Sequence, residues 1–303
     1  MQTVLTEGAY LNDLLKWEME NNHSREHVTV LAGQDLVMGS VIGKIKIGSV
    51  PTTGTAGTNT GNGTCVSVTG GAKTKVGVYN LRCVGVAANG GIFSVRDPDG
   101  ESLPDAVMGA YTNPAINFTL TDGATDFALG DSFTITVPAG SGKVRELNLT
   151  GIDGSEDAYG ILTAGADTTD TTRKQVAYTS GGVAELLAGE TLTGAISGAT
   201  AQVVSFTLSS GTFAAGTAAG TLILDNQVGT FQAENQNSAR QTNICTIGAD
   251  TSAYNSDRQA VAIVRDAQIV ADYLTWPAGA SDAQKAAALT QLANAGIVTR
   301  TDV

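Results

Sequence analysis

Apolar and polar residues alternate along much of this chain. Apolar residues occupy every second position in 116–121 and 132–137, and the alternation recurs in 201–208. A period of two is typical of β-strands that bury one face. Asp-Gly and Gly-Asp pairs at 122–123 and 130–131 supply turn residues beside these runs. The pattern predicts many short strands joined by turns of small residues.

One stretch, about residues 282–295, has the period and the end signals of a helix. Ser281 precedes it as a candidate N-cap, and Gln284 stands three residues later, which is the spacing of a capping box. Gly296 is placed to end the helix in the left-handed conformation. Ile297 and Val298 then predict a short final strand.

The N-terminal segment differs from the rest of the chain in composition and period. Leu11, Leu14, Leu15 and Met19 are spaced as one helical stripe, and residues 27–31 predict a strand. The segment is too short to bury this stripe alone. We therefore expect it to dock on its own domain or on a neighbouring chain.

The predicted fold is mainly β, with a small α+β core that is discontinuous in sequence and carries one C-terminal helix. Two β-rich modules are inserted into this core, and the first is sandwich-like. Changes in composition give the predicted segments: an N-terminal arm (1–48), the first inserted module (49–143), the first part of the core (144–180), the second β-rich insertion (181–246), and the second part of the core with the helix (247–303).

Composition and charge narrow the range of functions. Charged residues make up only 15% of the chain, while glycine alone contributes 37 positions, which favours short strands over helices. The net charge of -12 argues against nucleic acid and against an anionic membrane surface as partners. No stretch approaches the length of a membrane span, and residues 1–10 lack the features of a signal peptide. The simplest expectation is synthesis in a cytoplasm.

The three cysteines do not form a metal-binding pattern. Cys65, Cys83 and Cys245 contain no Cys-x-x-Cys pair and no nearby histidine, so a zinc site is not predicted. Buried reduced thiols are the favoured interpretation. A Cys65–Cys83 disulfide stays open for a protein that matures in an oxidising compartment.

Other candidate chemistry is equally weak. His23 and His27 have helical i,i+4 spacing, but the β-branched residues after them argue against a helix and a metal site. Residues 140–143 lack the flanking residues of a phosphate-binding loop. Residues 97–100 favour a tight surface turn over a calcium loop. We predict no catalytic residues, no cofactor and no metal, and hence no enzyme.

Two motifs resemble the lambda-type bacteriophage head decoration protein family. Ala158-Tyr159-Gly160-Ile161-Leu162 is followed by Ala166-Asp167-Thr168-Thr169-Asp170, and Trp276-Pro277 leads to Ala280-Ser281-Asp282. In that family a GIL strand, an Asp/Thr turn and a W-P-x-x-A-S-D entry into a helix recur in this order. Residues 5–8 and 24–30 are also similar to the start of its longer members. The resemblance covers about half of the chain, and the two β-rich insertions have no counterpart in small members.

The resemblance implies a non-enzymatic virion protein that forms a homotrimer on the outer surface of a phage capsid. It would bind the major capsid protein, stabilise the expanded shell without touching DNA, and be made in the host cytoplasm. Its N-terminal arm would dock on the capsid, and its core motifs would pack internally or at trimer contacts. The residues expected at the capsid are Val4, Leu5, Glu7, Leu14, Leu15, Trp17, Arg25 and Val28; those expected in the core or at a trimer contact are Tyr159, Ile161, Trp276 and Pro277.

Two alternatives from other classes stay open at this point. The Gly/Thr-rich strands also permit a phage tail tube or fibre component. An adhesin-like, carbohydrate-binding protein is the other, in which the two insertions bind a host-surface ligand. That alternative needs clustered exposed aromatic residues, whereas aromatic residues make up 5% of the chain.

Overall fold

The computed structural model describes residues 10–20, 22–180, 182–249 and 252–300. The chain is mainly β, which confirms the predicted fold class. It divides into two compact units. The first contains the described residues up to Val30, Leu36–Ala166, and the described residues from Gln259 onward; the second contains Leu31–Asp35 and Asp167–Arg258.

The N-terminal part of the chain contains one helical turn and four short strands. The predicted helix through Met19 is wrong, because the helix stops at Leu14 and the chain continues as a strand. The predicted strand near His27 is confirmed. The elements are α1 (Leu11–Leu14), β1 (Leu15–Glu18), β2 (Arg25–Val30), β3 (Asp35–Leu36) and β4 (Val41–Lys44).

The first inserted module is a sandwich of two antiparallel sheets around one core. The alternation predicted at 116–121 and 132–137 is confirmed, since Phe118, Phe133 and Ile135 point into this core. The sheets have the orders β10-β11-β6 and β5-β12-β7-β8-β9. The strands are β5 (Thr55–Ala56), β6 (Thr64–Gly70), β7 (Gly77–Ala87), β8 (Gly90–Arg96), β9 (Ser102–Val107), β10 (Gly109–Tyr111), β11 (Ile116–Thr121) and β12 (Ser132–Val137).

The second unit is built on one antiparallel sheet that closes on itself. Three short strands outside this sheet precede it in the chain: β13 (Val144–Glu146), β14 (Ala158–Leu162) and β15 (Ala166–Asp167). The strands of the sheet are β16 (Thr169–Ser180), β17 (Thr191–Gly194), β18 (Thr200–Ser210), β19 (Ala219–Val228), β20 (Glu234–Asn237), β21 (Cys245–Ile247) and β22 (Ser252–Asn255). The order is β19-β18-β17-β20-β21-β16-β22, and pairing of β16 with β19 closes six strands into a ring. Thus β16, which composition placed in the first core segment, pairs with β19 and β21 of the second insertion, and β22, from the second core segment, pairs with β16.

The core of the first unit is completed by the C-terminal part of the chain. Five strands close into a barrel in the order β13-β2-β23-β14-β4, and a second sheet has the order β1-β24-β25. The remaining elements are β23 (Arg258–Ile263), β24 (Ala267–Val270), a 3-10 turn (Ala271–Tyr273), α2 (Asp282–Asn294) and β25 (Ile297–Arg300).

The end signals of α2 act as predicted. The Ser281 hydroxyl accepts a hydrogen bond from the backbone N–H of Gln284, and the Gln284 side chain accepts one from the Ser281 N–H at 3.0 Å. Gly296 has φ +81°, so the helix ends in the left-handed conformation. The final strand follows as β25. These signals are local, which is why the sequence alone predicts them.

Candidate functional site

Exposed apolar side chains lie on one face of the sheet β1-β24-β25. Trp17 pairs with Gln268, and Gln268 pairs with Val298 on the next strand, so the three residues form one row. Trp17 and Val298 are each 49% exposed. We call Trp17, Gln268 and Val298 the surface row. Exposed apolar side chains on neighbouring residues, Tyr10 and Met19, extend the apolar character of this region.

Two residues expected at the capsid are buried in the chain's own core. Leu14 is 1% exposed and belongs to the cluster that contains Leu292 of α2, and Val28 is 4% exposed inside the barrel. Side chains without accessible surface cannot contact a second protein in this conformation. The structure therefore corrects the expectation for Leu14 and Val28, which we assign to core packing. Leu15 is half-buried against the same cluster as Leu14.

Arg25 is engaged within the chain by Glu18. Its Nε and Nη2 donate to the two carboxylate oxygens of Glu18, both at 2.7 Å. This bidentate hydrogen bonding raises the pKa of Arg25. The pair ties β1 to the start of β2 and so holds the strand that carries Trp17. The remaining residues of the expected capsid contact, Val4, Leu5 and Glu7, lie outside the described residues.

Tyr159 is fixed by a cluster of charged side chains on the barrel. Lys44 Nζ lies 4.5 Å from the centre of the Tyr159 ring and donates to its hydroxyl at 3.1 Å. Glu26 pairs with Lys44 at 3.7 Å and with Arg265 at 3.1 Å. Burial raises the pKa of Tyr159, while the hydrogen bond from Lys44 partly offsets this effect. Tyr159 is half-buried, and Ile161 on the same strand is fully buried in the core.

The Trp276-Pro277 corner joins the barrel to α2. Thr275 N–H donates to the Gly39 carbonyl at 2.9 Å, and the Thr275 carbonyl accepts from Val41 N–H at 3.1 Å. Gly39 has φ +83°, and a Cβ there would collide with the Tyr273 carbonyl, so only glycine fits this contact. Pro277 is buried, and Trp276 packs half-buried against the core. Trp276 therefore anchors the corner and keeps an accessible part.

Gln268 and Val298 are members of the surface row whose positions relative to β1 are not predictable from the sequence. The only local signal is the step from Ile297, which is buried, to Val298, which is exposed. Such a step marks two faces of a strand. The step gives no sign that Val298 shares a sheet face with Trp17. That arrangement arises because β1 and β25, from opposite ends of the chain, both pair with β24.

The described part of the chain contains no cluster of three or more His, Cys, Asp or Glu residues suited to a metal ion. His23 instead lies 3.2 Å from Asp266. All three cysteines are buried and free, so the Cys65–Cys83 disulfide is not formed. Burial raises the pKa of Cys65 to about 11 and that of Cys245 to about 12.

The turn at residues 97–100 is held by Lys75. Its Nζ lies 2.5 Å from Asp97 and 2.6 Å from Asp99, and Gly100 N–H donates to the Asp97 carbonyl at 2.9 Å. The ammonium group occupies the space in which a cation would bind, so the arrangement is a turn.

In the described residues, no helix has the length and apolar character needed to cross a membrane.

Comparison with known proteins gives one family. The model of the family described as Bacteriophage lambda head decoration protein D matches residues 4–193 and 197–297. The match runs through both insertions as well as the core motifs around Gly160 and Trp276. No curated protein and no solved structure matches the chain.

Proposed function

Because the chain belongs to the family of the bacteriophage lambda head decoration protein D, we propose that three copies assemble on the outer surface of the phage capsid and stabilise its expanded shell. Membership makes the protein a structural decoration protein of the phage head, with the capsid as its partner. The family is not a class of enzymes. Membership in this family also favours a protein of the phage head over a tail component or an adhesin.

The surface row is the observation that best supports contacts between copies or with the capsid. Trp17 and Val298 lie in register on one sheet, and each keeps about half of its surface exposed. Tryptophan is enriched among the residues that dominate binding energy at interfaces. Burying one large apolar side chain contributes roughly 1.5–3 kcal/mol. Repetition over many copies on one shell would make modest individual contacts effectively tight.

The segment before Tyr10 is proposed as the part that docks on the major capsid protein. The family match begins at residue 4, which supports a role for Val4, Leu5 and Glu7. A terminal segment can dock by adding a strand to a sheet edge of its partner, with alternate side chains in pockets. Arg25 and Leu15 would then hold the folded base of the segment.

A binding experiment on expanded capsids tests both parts of the proposal. Deletion of residues 2–9 removes the proposed docking segment but stops before Leu14, whose burial makes longer deletions destructive. Trp17→Ser and Val298→Ser each change the surface row. We expect all three variants to weaken the affinity for expanded capsids at least about tenfold, equivalent to the loss of ~1.4 kcal/mol, and to lower occupancy at sub-saturating protein concentration.

Val107→Ser is the matched control for Val298→Ser. Val107 is 60% exposed on the inserted sandwich, so the substitution is the same and the exposure is similar. This variant is expected to bind as the wild type does. Wild-type occupancy by the deletion variant would overturn the docking segment, and wild-type occupancy by both row variants would overturn the surface row. Circular dichroism confirms that each variant is folded.

The two insertions are proposed to face away from the shell, where a host-surface ligand has access to them. The sandwich has a hydrophobic core of its own, and the second insertion shares one with β16, which supports presentation of each as a separate module. Synthesis in the host cytoplasm is also proposed, and the three free cysteines agree with a reducing compartment. Limited proteolysis of decorated capsids tests the outward placement, since cleavage within the insertions is expected and full protection would contradict it.

A further inference from the structure

The chain contains two Asn-Gly pairs, Asn62-Gly63 and Asn89-Gly90. Such pairs have a specific reactivity. Glycine has no Cβ, so its backbone nitrogen can approach the side-chain amide carbon of the preceding asparagine. The two pairs of this chain lie in different surroundings within the sandwich, and the difference determines which one can react.

Asn89 lies at the apex of the turn between β7 and β8. Ala87 pairs with Gly90, which leaves Ala88 and Asn89 as a two-residue loop. Asn89 is exposed and has φ +53°. Its backbone N–H donates to Asp126 Oδ1 at 3.0 Å, but its side-chain amide has no hydrogen-bond partner among the described residues. The amide group is therefore free to rotate towards the Gly90 nitrogen.

Asn62 is held in place. Its Oδ1 accepts a hydrogen bond from Thr125 N–H at 2.9 Å, and its own N–H donates to the Thr125 carbonyl at 3.2 Å. Gly63 is buried under Phe127. The amide carbon of Asn62 cannot turn towards the next backbone nitrogen without breaking these contacts.

We propose that Asn89 is a site of spontaneous deamidation in the folded protein, while Asn62 is protected. The Gly90 nitrogen gives its proton to water and attacks the side-chain carbon of Asn89, and the side-chain nitrogen leaves as ammonia. The resulting five-membered imide takes up one water molecule at either carbonyl. The products are aspartate and isoaspartate, so the balance is one amide and one water converted to one carboxylic acid and ammonia.

The product changes a specific surface of the sandwich. The new carboxylate stands beside Asp126, which already contacts the backbone of residue 89. Two like charges in contact repel. Val86, Ala88 and Leu129 line a surface groove at this point together with Asp126. The reaction therefore converts the edge of an apolar groove into a more negative one and weakens the tie between two loops. This inference does not depend on capsid binding.

The experiment compares both asparagines in one sample of the full-length protein. Purified protein is incubated in mildly alkaline buffer, and peptide mapping by mass spectrometry follows replacement of an amide NH₂ by OH at each site. A parallel sample in denaturant gives the reactivity of each site without structure. We expect Asn89 to react at least about tenfold faster than Asn62 in the folded protein, and the two rates to converge in denaturant, because local structure protects only Asn62.

Gly90→Ala is the control variant. A Cβ at position 90 would lie 3.5 Å from Ala87 Cβ, which is ordinary contact, and Gly90 has no positive φ, so the fold accommodates alanine. This variant should lose most of the reaction at Asn89 without loss of stability. Equal rates at Asn62 and Asn89 in the folded protein would overturn the proposal. Protection of Asn89 in the folded protein relative to denaturant would also overturn it.

Discussion

The two inserted modules have similar Gly/Thr-rich sequences but build their cores differently. The sandwich, residues 55–137, buries an aromatic cluster in which Phe93 lies 5.0 Å from Phe127 and 6.0 Å from Phe133, measured between ring centres. The ring formed by β16–β21 buries fewer aromatic side chains: Tyr178 and Phe231 are each 2% exposed, while Phe206 and Phe213 pack only partly buried against Tyr178. Aromatic side chains bury more area each. The sandwich thus buries more aromatic side chains than the ring.

The two modules also differ in how completely their buried polar groups are hydrogen-bonded. In the sandwich, buried Asp131 accepts three backbone hydrogen bonds, each of 2.9 Å, from Thr60, Gly61 and Ala128. In the ring, buried Glu234 holds the β17–β18 turn through Ile196 and Ser197, and it also accepts a hydrogen bond from the nearby Gln232 N–H. The ring also contains buried groups without a hydrogen-bond partner in the described residues: the Tyr178 hydroxyl and the Gln236 and Asn243 side-chain oxygens. Both modules therefore use a buried carboxylate to hold backbone N–H groups, but more buried polar atoms lack a partner in the described residues of the ring than in those of the sandwich.

The largest expected effect is that of Phe93→Ala in the sandwich. Phe93 is fully buried between two rings, so its removal leaves a cavity and costs about 3–5 kcal/mol. Phe206→Ala in the ring is the matched change, and because Phe206 is only partly buried we expect a smaller loss. Native-state hydrogen exchange of strand peptides measures the local free energy of opening. Equal losses in both modules would contradict the comparison.

Glu234→Gln is expected to have the next largest effect, in the ring alone. The amide that replaces one carboxylate oxygen places a donor against the N–H groups of residues 196 and 197, which costs about 1–3 kcal/mol. Hydrogen exchange in β17 and β20 should accelerate, while exchange in the sandwich strands stays unchanged. No change in the ring would contradict the role assigned to this carboxylate.

The same carboxylate gives the ring a pH dependence. Burial raises the pKa of Glu234, but hydrogen bonds from Ser197, Ile196 and Gln232 outweigh burial and lower it from 4.5 to about 2. The pKa of Glu234 is lower in the folded state than in the unfolded state. The Glu234 carboxylate therefore stabilises the ring fully above pH 4.5, and this stabilisation is lost as the pH falls towards about 2. Exchange measured across this window should show the ring weakening, and Glu234→Gln should weaken less on acidification.

The smallest expected effects on stability are those of replacing Tyr111 and Tyr178 by phenylalanine. The Tyr111 hydroxyl in the sandwich donates to the Pro104 carbonyl at 3.0 Å, whereas the buried Tyr178 hydroxyl in the ring has no partner in the described residues. Tyr111→Phe should therefore cost about 1 kcal/mol, and Tyr178→Phe should be neutral or slightly stabilising. A loss at Tyr178 equal to that at Tyr111 would show that an internal water completes the ring core.

Features set by local sequence were predictable. The capping box at Ser281 and Gln284, the left-handed Gly296 and the alternation in β11 and β12 each depend on residues within one element. The turn at Asp97 is also local. In these elements the residues that make the sequence pattern are the same residues that stabilise the structure, so the sequence alone predicts them.

Features set by distant pairing were not predictable. The helical spacing of Leu11, Leu14, Leu15 and Met19 is genuine, but Leu15 pairs with Ile269, and this pairing converts the segment after Leu14 into a strand. The burial of Leu14 and the position of Val298 beside Trp17 follow from the same sheet. The buried Glu234 gives no signal in sequence either, because its partners Ile196 and Ser197 are nearly forty residues away along the chain.

The central proposal is that three copies lie around a local symmetry axis on the outer capsid surface. The most direct measurement is an electron cryo-microscopy map of expanded capsids saturated with the purified protein. The proposal predicts three-lobed density outside the shell at each such axis, with the surface row facing a neighbouring copy or the capsid. Absence of density on the shell, or single isolated copies, would contradict it.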